Sequence, residues 1–428
     1  MKNRFFAPGR DFITLLLLLF AFLFRAGAQT NDGMATINWN EVHQPIEGFG
    51  AASAFEKDSG LTEAQADFFF TTNGIGLTLL RTHIQTDGTT KEASFMKSAQ
   101  ARGAKIWSAP WSPPAAMKSN TNVNNGGFLL TNFYPAYANQ LADYVVNLKQ
   151  QHGINLYAIS IQNEPNYKAH YESCIWTGQQ LHDFVPYLHD ALLQHGVTST
   201  KILLGERGNW DLSMTTNTMN DPVTAAMVGI LASHNYGKPG PQPVNAYGKS
   251  LWETEACDLK GKSESSITNG LKWAMCLHDF LTVAQVNAWH YWDLNNAISG
   301  LGLYHNWVPT KRLYCYGQFS RFIRPGYYRI GVTNSGDASV SAYKDPQSNG
   351  FAIVAINTNT AAITESFTLS DAPAITSVMP WITSANLSLA NQPAVAVVNQ
   401  SFTYTLPGQS VVTFAGQEYP PLQIPPTP

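Results

Sequence analysis

Two acidic stretches are the first candidates for chemistry, Gln162-Asn163-Glu164-Pro165 and Trp252-Glu253-Thr254-Glu255. Each closes a short apolar run of the kind that forms a buried strand. Two carboxyl groups facing each other suit glycosidic bond cleavage. One gives a proton to the leaving oxygen and the other meets the developing oxocarbenium carbon, and a separation of about 5–5.5 Å goes with a covalent intermediate and retained configuration. Pro165 denies its turn a backbone donor and biases Glu164 away from helix, which holds that carboxyl outward as the acid/base. Alternation puts Glu253 and Glu255 on one side of the second stretch, with Glu255 nearer the strand's end. Glu255 is therefore the expected nucleophile, and Glu253 lies a layer deeper. A single such glutamate is more often the ion-pair partner of a buried arginine, here Arg81. Two at separate strand ends, the first preceded by Asn163 as a donor to a sugar hydroxyl, favour catalysis.

Around them the same strand ends carry Trp111, Tyr167, Tyr236 and Trp292. These rings are expected to stack on the apolar faces of sugars. Arg81, His83, His234 and His290 also lie at strand ends, and hydrogen bonding to the carboxylates or to sugar is their expected role. No metal-ligand spacing connects these histidines, so no metal and no cofactor is expected. The chain lacks a G-x-S-x-G elbow, a phosphate loop and a G-x-G-x-x-G after a strand.

The elements that must position these residues alternate regularly. Apolar runs at 46–53, 76–84, 105–110, 157–162, 202–206, 230–234, 250–255 and 287–292 are separated by helical patterns at 62–71, 91–102, 134–152, 178–196, 221–228, 266–283 and 314–324. Repeated strand-helix alternation indicates an α/β chain with a (β/α)8 TIM barrel over residues 46–325, whose reactive groups belong at the carboxyl ends of the strands. Beyond residue 325 the pattern turns to short alternating strands separated by turn residues. A fused β-sandwich side domain is expected over 326–416, joined by an N-terminal strand within 29–45. A Pro-rich tail, 417–428, is expected to stay unfolded.

Lys2, Arg4 and Arg10, the apolar run 12–24 and Ala26-Gly27-Ala28 read as a secretory signal over residues 1–28. The mature chain is thus expected to be secreted, extracellular or periplasmic, and free of the membrane. Four cysteines entering an oxidising compartment leave three connectivities open. Cys174 and Cys257 follow strands four and seven and could be bridged across one face, while free thiols are the alternative for all four. With 26 Lys+Arg against 29 Asp+Glu, 13% charged and 44% hydrophobic residues, the chain lacks the basic surface that nucleic acid requires. A monomer acting on a polysaccharide is expected.

The motifs Ile46-Glu47-Gly48-Phe49-Gly50, Leu80-Arg81-Thr82-His83, Ser108-Ala109-Pro110-Trp111-Ser112-Pro113-Pro114, Ile161-Gln162-Asn163-Glu164-Pro165, Leu251-Trp252-Glu253-Thr254-Glu255 and Phe319-Ser320-Arg321-Phe322-Ile323-Arg324-Pro325-Gly326 resemble glycoside hydrolase family 30, especially its bacterial endo-β-1,4-xylanases. The resemblance implies a retaining mechanism, with Glu164 matching the family's acid/base and Glu255 its nucleophile. In the glucuronoxylan-cleaving group a Trp stands in the loop after strand one, and Arg and Tyr residues grip a glucuronic acid branch. Here the corresponding loops read Ala51-Ala52-Ser53-Ala54-Phe55, Asp293-Leu294-Asn295-Asn296 and Ala256-Cys257-Asp258. An Asp in place of Arg repels a carboxylate, so a xylanase that does not depend on that branch is expected. Other activities of the family (β-1,6-galactanase, β-1,6-glucanase, β-xylosidase) and a non-catalytic glycan-binding protein are the alternatives.

Overall fold

The computed structural model describes residues 33–56, 60–259, 266–298 and 300–425. The expected signal segment lies outside the described residues. Eight parallel strands, Gly48–Ala52, Leu79–Ile84, Lys105–Pro110, Leu156–Ser160, Lys201–Arg207, Val228–Ser233, Ser250–Glu253 and Ala288–Asn296, close into a barrel. The first strand completes the circle, pairing Gly50 with Leu79 of the second and Gly48 with Ala288 of the eighth. Trp107, Trp252 and His290 stack edge-on or tilted in the interior. Such large rings fit because Ala52, Ala109, Ala158, Ala232 and Ala288 share that core.

The outer layer is formed mainly by Glu63–Phe70, Ala93–Ala101, Tyr134–His152, Gly178–Gln194, Ile267–Thr282 and Lys311–Ser320. Thr62 and Thr177 begin two of these helices through capping boxes closed by Gln65 and Gln180. Each box satisfies two backbone donors that a helix start leaves unpaired. Only two short helices, Thr216–Asn220 and Pro222–Met227, follow the fifth strand, and the chain runs from the sixth to the seventh without one.

The side unit is one ten-stranded sheet, and its N-terminal strand Gly33–Pro45 lies between Tyr328–Asn334, antiparallel, and Ile363–Ser370, parallel. The sheet curls over itself around Phe367, Phe402 and Phe414, whose rings stand 4.7–5.1 Å apart. The expected sandwich is thus made by a continuous sheet. Its other face packs on the barrel's last helix, where Thr413 Oγ1 donates to Gln318 O at 2.7 Å and the Arg321 guanidinium stacks 4.4 Å from Trp381. The Pro-rich tail, expected to be unfolded, is docked instead as far as Gln423. Tyr419 packs its ring 4.8 Å from Phe322, and Gln423 N donates to Asn73 O at 2.8 Å. Apolar anchors between the prolines supply the burial that the composition alone concealed. No helix among the described residues is long and apolar enough to cross a membrane.

One carboxylate in this sheet is poorly served. Glu365 is buried against Gly33 and Gly336, and neither of its oxygens has a hydrogen-bond partner among the described residues. Burial, with Asp337 adding repulsion, pushes its pKa up to about 7. An acid raised on folding costs nothing below its unfolded value, costs progressively more as pH climbs towards 7, and carries the full cost above that. Glu365→Gln is therefore expected to raise the thermal midpoint by about 1–3 °C at pH 8 and to leave it unchanged at pH 4, measured by calorimetry at both pH values.

Candidate active site

Strand four ends at Ser160, and the chain turns so that Glu164 adopts φ +44°. A non-glycine residue held there costs about 1–3 kcal/mol and marks a position fixed by its surroundings. Glu164 N donates to Glu206 O at 3.0 Å. Its carboxylate lies against the backbone of Gly208, where a Cβ would come within 2.9 Å of Oε1. Across the mouth, Glu255 follows strand seven and accepts from Tyr236 OH at 2.8 Å and from Arg81 Nη1. One oxygen of Glu164 and one of Glu255 lie within 4.8 Å of each other. Oxygens this close accord with glycosidases in which the second carboxylate is the nucleophile and the two carboxyl groups stand about 5–5.5 Å apart.

Arg81 is wholly buried beneath this pair. Its Nη2 donates to Asn163 Oδ1 at 2.6 Å and to Glu206 Oε1 at 3.0 Å, and its guanidinium lies 4.8 Å from the Trp111 ring. Burial works against its charge, but Glu206 and then Glu255 outweigh burial and move its pKa up. Burial alone would raise Glu206; Arg81 first and then His234 reverse this and hold it low, as a carboxylate. Among the three carboxylates sits His234, with Nδ1 3.4 Å from Glu164 Oε1 and 3.8 Å from Glu255 Oε2, and Nε2 3.5 Å from Glu206 Oε1. Burial would lower its pKa, yet the surrounding carboxylates, Glu255 foremost, carry it up to about 10. Glu253 is fully buried one layer down. Its carboxyl accepts from the backbone N–H groups of Glu255 at 3.2 Å and His290 at 3.1 Å, so it braces the strand end.

A cavity of about 550 Å³ opens above the pair. Asn163, Trp111, Tyr236 and Trp292 line it, together with Phe55, Asn124, Tyr171 and Glu172. With Oδ1 of Asn163 engaged by Arg81, its amide nitrogen is left to donate to a sugar. Of the two roles expected for Arg81, His83 and His234, contact with the carboxylates or with sugar, Arg81 and His234 take the first; all three are buried below the cavity floor and outside its lining. His83 is wedged 4.4 Å from the Phe55 ring and 4.9 Å from Trp111, and its Nε2 contacts Glu172 at 3.0 Å. Tyr167 is exposed outside the cavity, and Tyr171 takes the wall position expected of it.

The expected Cys174–Cys257 bridge is absent, and all four cysteines are free. Cys174 belongs to the packed core with Tyr134 and Trp176, whereas Cys257 borders the cavity with Sγ 3.2 Å from Tyr236 OH. The two thiols thus serve different surroundings. Glu206 is the principal functional residue that the sequence reading passed over. Its signal was present, an acid closing the fifth strand in Leu204-Gly205-Glu206, but a search for one pair left no role for a third.

A carboxylate pair at this spacing, on the strand-end face of a (β/α)8 barrel and beneath an aromatic-walled cavity, defines a glycoside hydrolase. The Glycosyl hydrolase family 30 TIM-barrel domain matches residues 73–294. The chain is 32% identical over 396 residues to Glucuronoxylanase XynC of Bacillus subtilis (strain 168), covering 89% of this chain and 90% of that protein. Among solved structures, the family 30 subfamily 8 xylanase Xyn30A from Clostridium acetobutylicum superposes with TM-score 0.80 at 33% identity, covering 90% of this chain and 99% of that one. A family 30 endoxylanase from Clostridium papyrosolvens C71 gives TM-score 0.78 at 30% identity, covering 90% and 100%. The chain belongs to glycoside hydrolase family 30.

Proposed function

We propose that the protein is a secreted endo-β-1,4-xylanase that cleaves the xylan backbone by double displacement and does not depend on a glucuronic acid branch. In this mechanism Glu164 protonates the leaving oxygen while Glu255 attacks the anomeric carbon from the opposite side. Tyr236 and Arg81 each hold one oxygen of Glu255, which fixes the attacking lone pair without reorganisation at the moment of reaction. Asn163 donates to the hydroxyl beside the reacting carbon, where the bond strengthens as charge develops. Glu164, now a base, activates the water that releases the sugar with its original configuration.

The observation that carries branch independence is the charge of the cavity wall. Its titratable acids are Glu164, Glu172 and Glu255, and among the described residues no Lys or Arg lines it. Arg81 and His234 lie nearby but are buried and already engaged, Arg81 by Asn163, Glu206 and Glu255 and His234 by the three carboxylates around it. Asp258, after strand seven, is engaged by Asn269 at 2.7 Å, by Trp273 at 3.0 Å and by Lys272. A uronate entering this cavity gains no charge-assisted partner among the described residues and meets three acids. Lys260 and Lys262 lie outside the described residues. Secretion is supported by the basic, then apolar, then small-residue order of the first 28 residues.

Product analysis on glucuronoxylan, arabinoxylan, linear xylan, β-1,6-galactan and β-1,6-glucan tests the reading. Linear xylan is expected to yield a series of xylo-oligosaccharides at a rate comparable to glucuronoxylan, with the β-anomer formed first by NMR. Cleavage confined to glucuronoxylan, with every product carrying its branch at one position, overturns branch independence. Activity confined to a β-1,6-linked polymer overturns the xylanase itself.

A further inference from the structure

The side chains that surround the reacting bond also have the geometry of a metal site. We propose that Glu164, His234 and Glu255 together bind one borderline divalent cation of the Zn2+ type, and that this ion reversibly inhibits the enzyme.

One donor atom from each of the three residues lies within 4.8 Å of the other two, and the His234 distances, 3.4 Å and 3.8 Å, are the tightest described. Ligand atoms held tetrahedrally about 2.0–2.1 Å from zinc stand about 3.4 Å from one another. Closing on an ion therefore draws the two carboxylate oxygens together and turns Glu255 Oε2 away from Arg81 Nη1, which otherwise holds it. His234 is completely buried, and its Nδ1 faces Glu164 Oε1 and Glu255 Oε2 without a well-formed hydrogen bond to either. Its other nitrogen faces Glu206 Oε1 at 3.5 Å. Metal-bound histidines commonly donate their remaining N–H to a carboxylate in this way, which orients the ring and strengthens the ligand. The fourth position opens to the cavity and is available to water.

The donor set selects the ion. Two carboxylates and an imidazole suit zinc, whereas Mg2+ and Ca2+ prefer all-oxygen surroundings. Binding releases the proton of Nδ1 and replaces its charge, and Arg81 beside Glu255 opposes the second positive charge. An ion in place ties the proton donor to the nucleophile and occupies the space of the anomeric carbon, so turnover stops until the ion leaves. No local motif signals this site, because its ligands come from the ends of strands four, six and seven.

The test is direct measurement of metal on the purified enzyme, so it is independent of which glycan is the substrate and fails separately from the xylanase reading. Zn2+ is titrated by calorimetry, and Co2+ by its visible absorption, into wild type, Glu164→Gln, His234→Gln, Glu255→Gln and Glu172→Gln. One ion per chain is expected, with an intense four-coordinate Co2+ spectrum. Loss of any one of the three ligands weakens binding by more than about 100-fold, and Glu172→Gln, on the cavity wall outside the cluster, leaves it unchanged. Hydrolysis by wild type falls with Zn2+ and returns with a chelator. Affinity that is indifferent to Glu164→Gln and Glu255→Gln, or a weak octahedral Co2+ spectrum, overturns the proposal.

Discussion

Replacing Glu255 with Ala is expected to lower kcat by on the order of 10⁴-fold or more, the scale of losing a nucleophile. Glu164→Ala is expected to lose about 10²–10⁴-fold, the scale of losing a proton donor, and less on an aryl glycoside whose leaving group needs no proton. The two variants differ further when azide is added. In Glu164→Ala the covalent intermediate still forms on Glu255, so azide attacks it from the vacated face and gives a glycosyl azide of retained configuration. In Glu255→Ala azide replaces the nucleophile itself and gives the inverted product. Stereochemistry by NMR thus assigns both roles in one experiment, on the aryl glycoside of whichever sugar the product panel identifies. Glu253→Gln is the control for register: its carboxyl braces two backbone N–H groups one layer down, so its loss weakens the strand end and yields no azide product. If Glu253 variants gave the inverted azide and Glu255→Ala kept full activity, the strand-seven assignment would be wrong.

That these two glutamates were legible in the sequence follows from how a parallel barrel is written. Strands buried on both faces read as near-continuous apolar runs, and a polar residue that interrupts their ends stands out. Glu164 and Glu255 stood out in this way, and so did Trp111 and Trp292. Arg81 was legible as the buried ion-pair partner of a strand-end glutamate, and the structure makes that pair with Glu255, but its second carboxylate, Glu206 on strand five, comes within reach only after the barrel closes. Loop residues were less accessible still. Phe55 reaches the cavity through φ +67°, a backbone state its side chain does not announce, and Tyr171 displaces Tyr167 by a turn no local pattern fixes. Strand Tyr328–Asn334 escaped notice because it begins directly after the Arg324-Pro325-Gly326 turn. The docked tail depended on Tyr419 and Gln423 meeting partners far away in the chain.

Arg81 carries the second large effect. Its guanidinium is fully buried and is bonded at once to Glu255, Asn163 and Glu206; of the two carboxylates, Glu206 is sealed from water and Glu255 borders the cavity. Removing one member of a buried ion pair leaves an uncompensated charge and costs about 3–5 kcal/mol. Arg81→Met is therefore expected to lower the denaturation midpoint sharply and to abolish most activity. The two losses have separable causes. Glu206 is the partner held as a carboxylate chiefly by Arg81 and then His234, whereas Glu255 is the proposed nucleophile. In the double variant Arg81→Met/Glu206→Gln the stranded charge is gone, so stability is expected to recover in large part. Activity is not, because Glu255 has lost a donor on one oxygen and Asn163 has lost the bond that fixes its amide. A double-mutant cycle built from urea melts, with kcat measured on each corner, reads this coupling. Stability that fails to recover in the double variant would mean that Arg81 acts through its packing against Trp107, Trp111 and Trp292 rather than through charge.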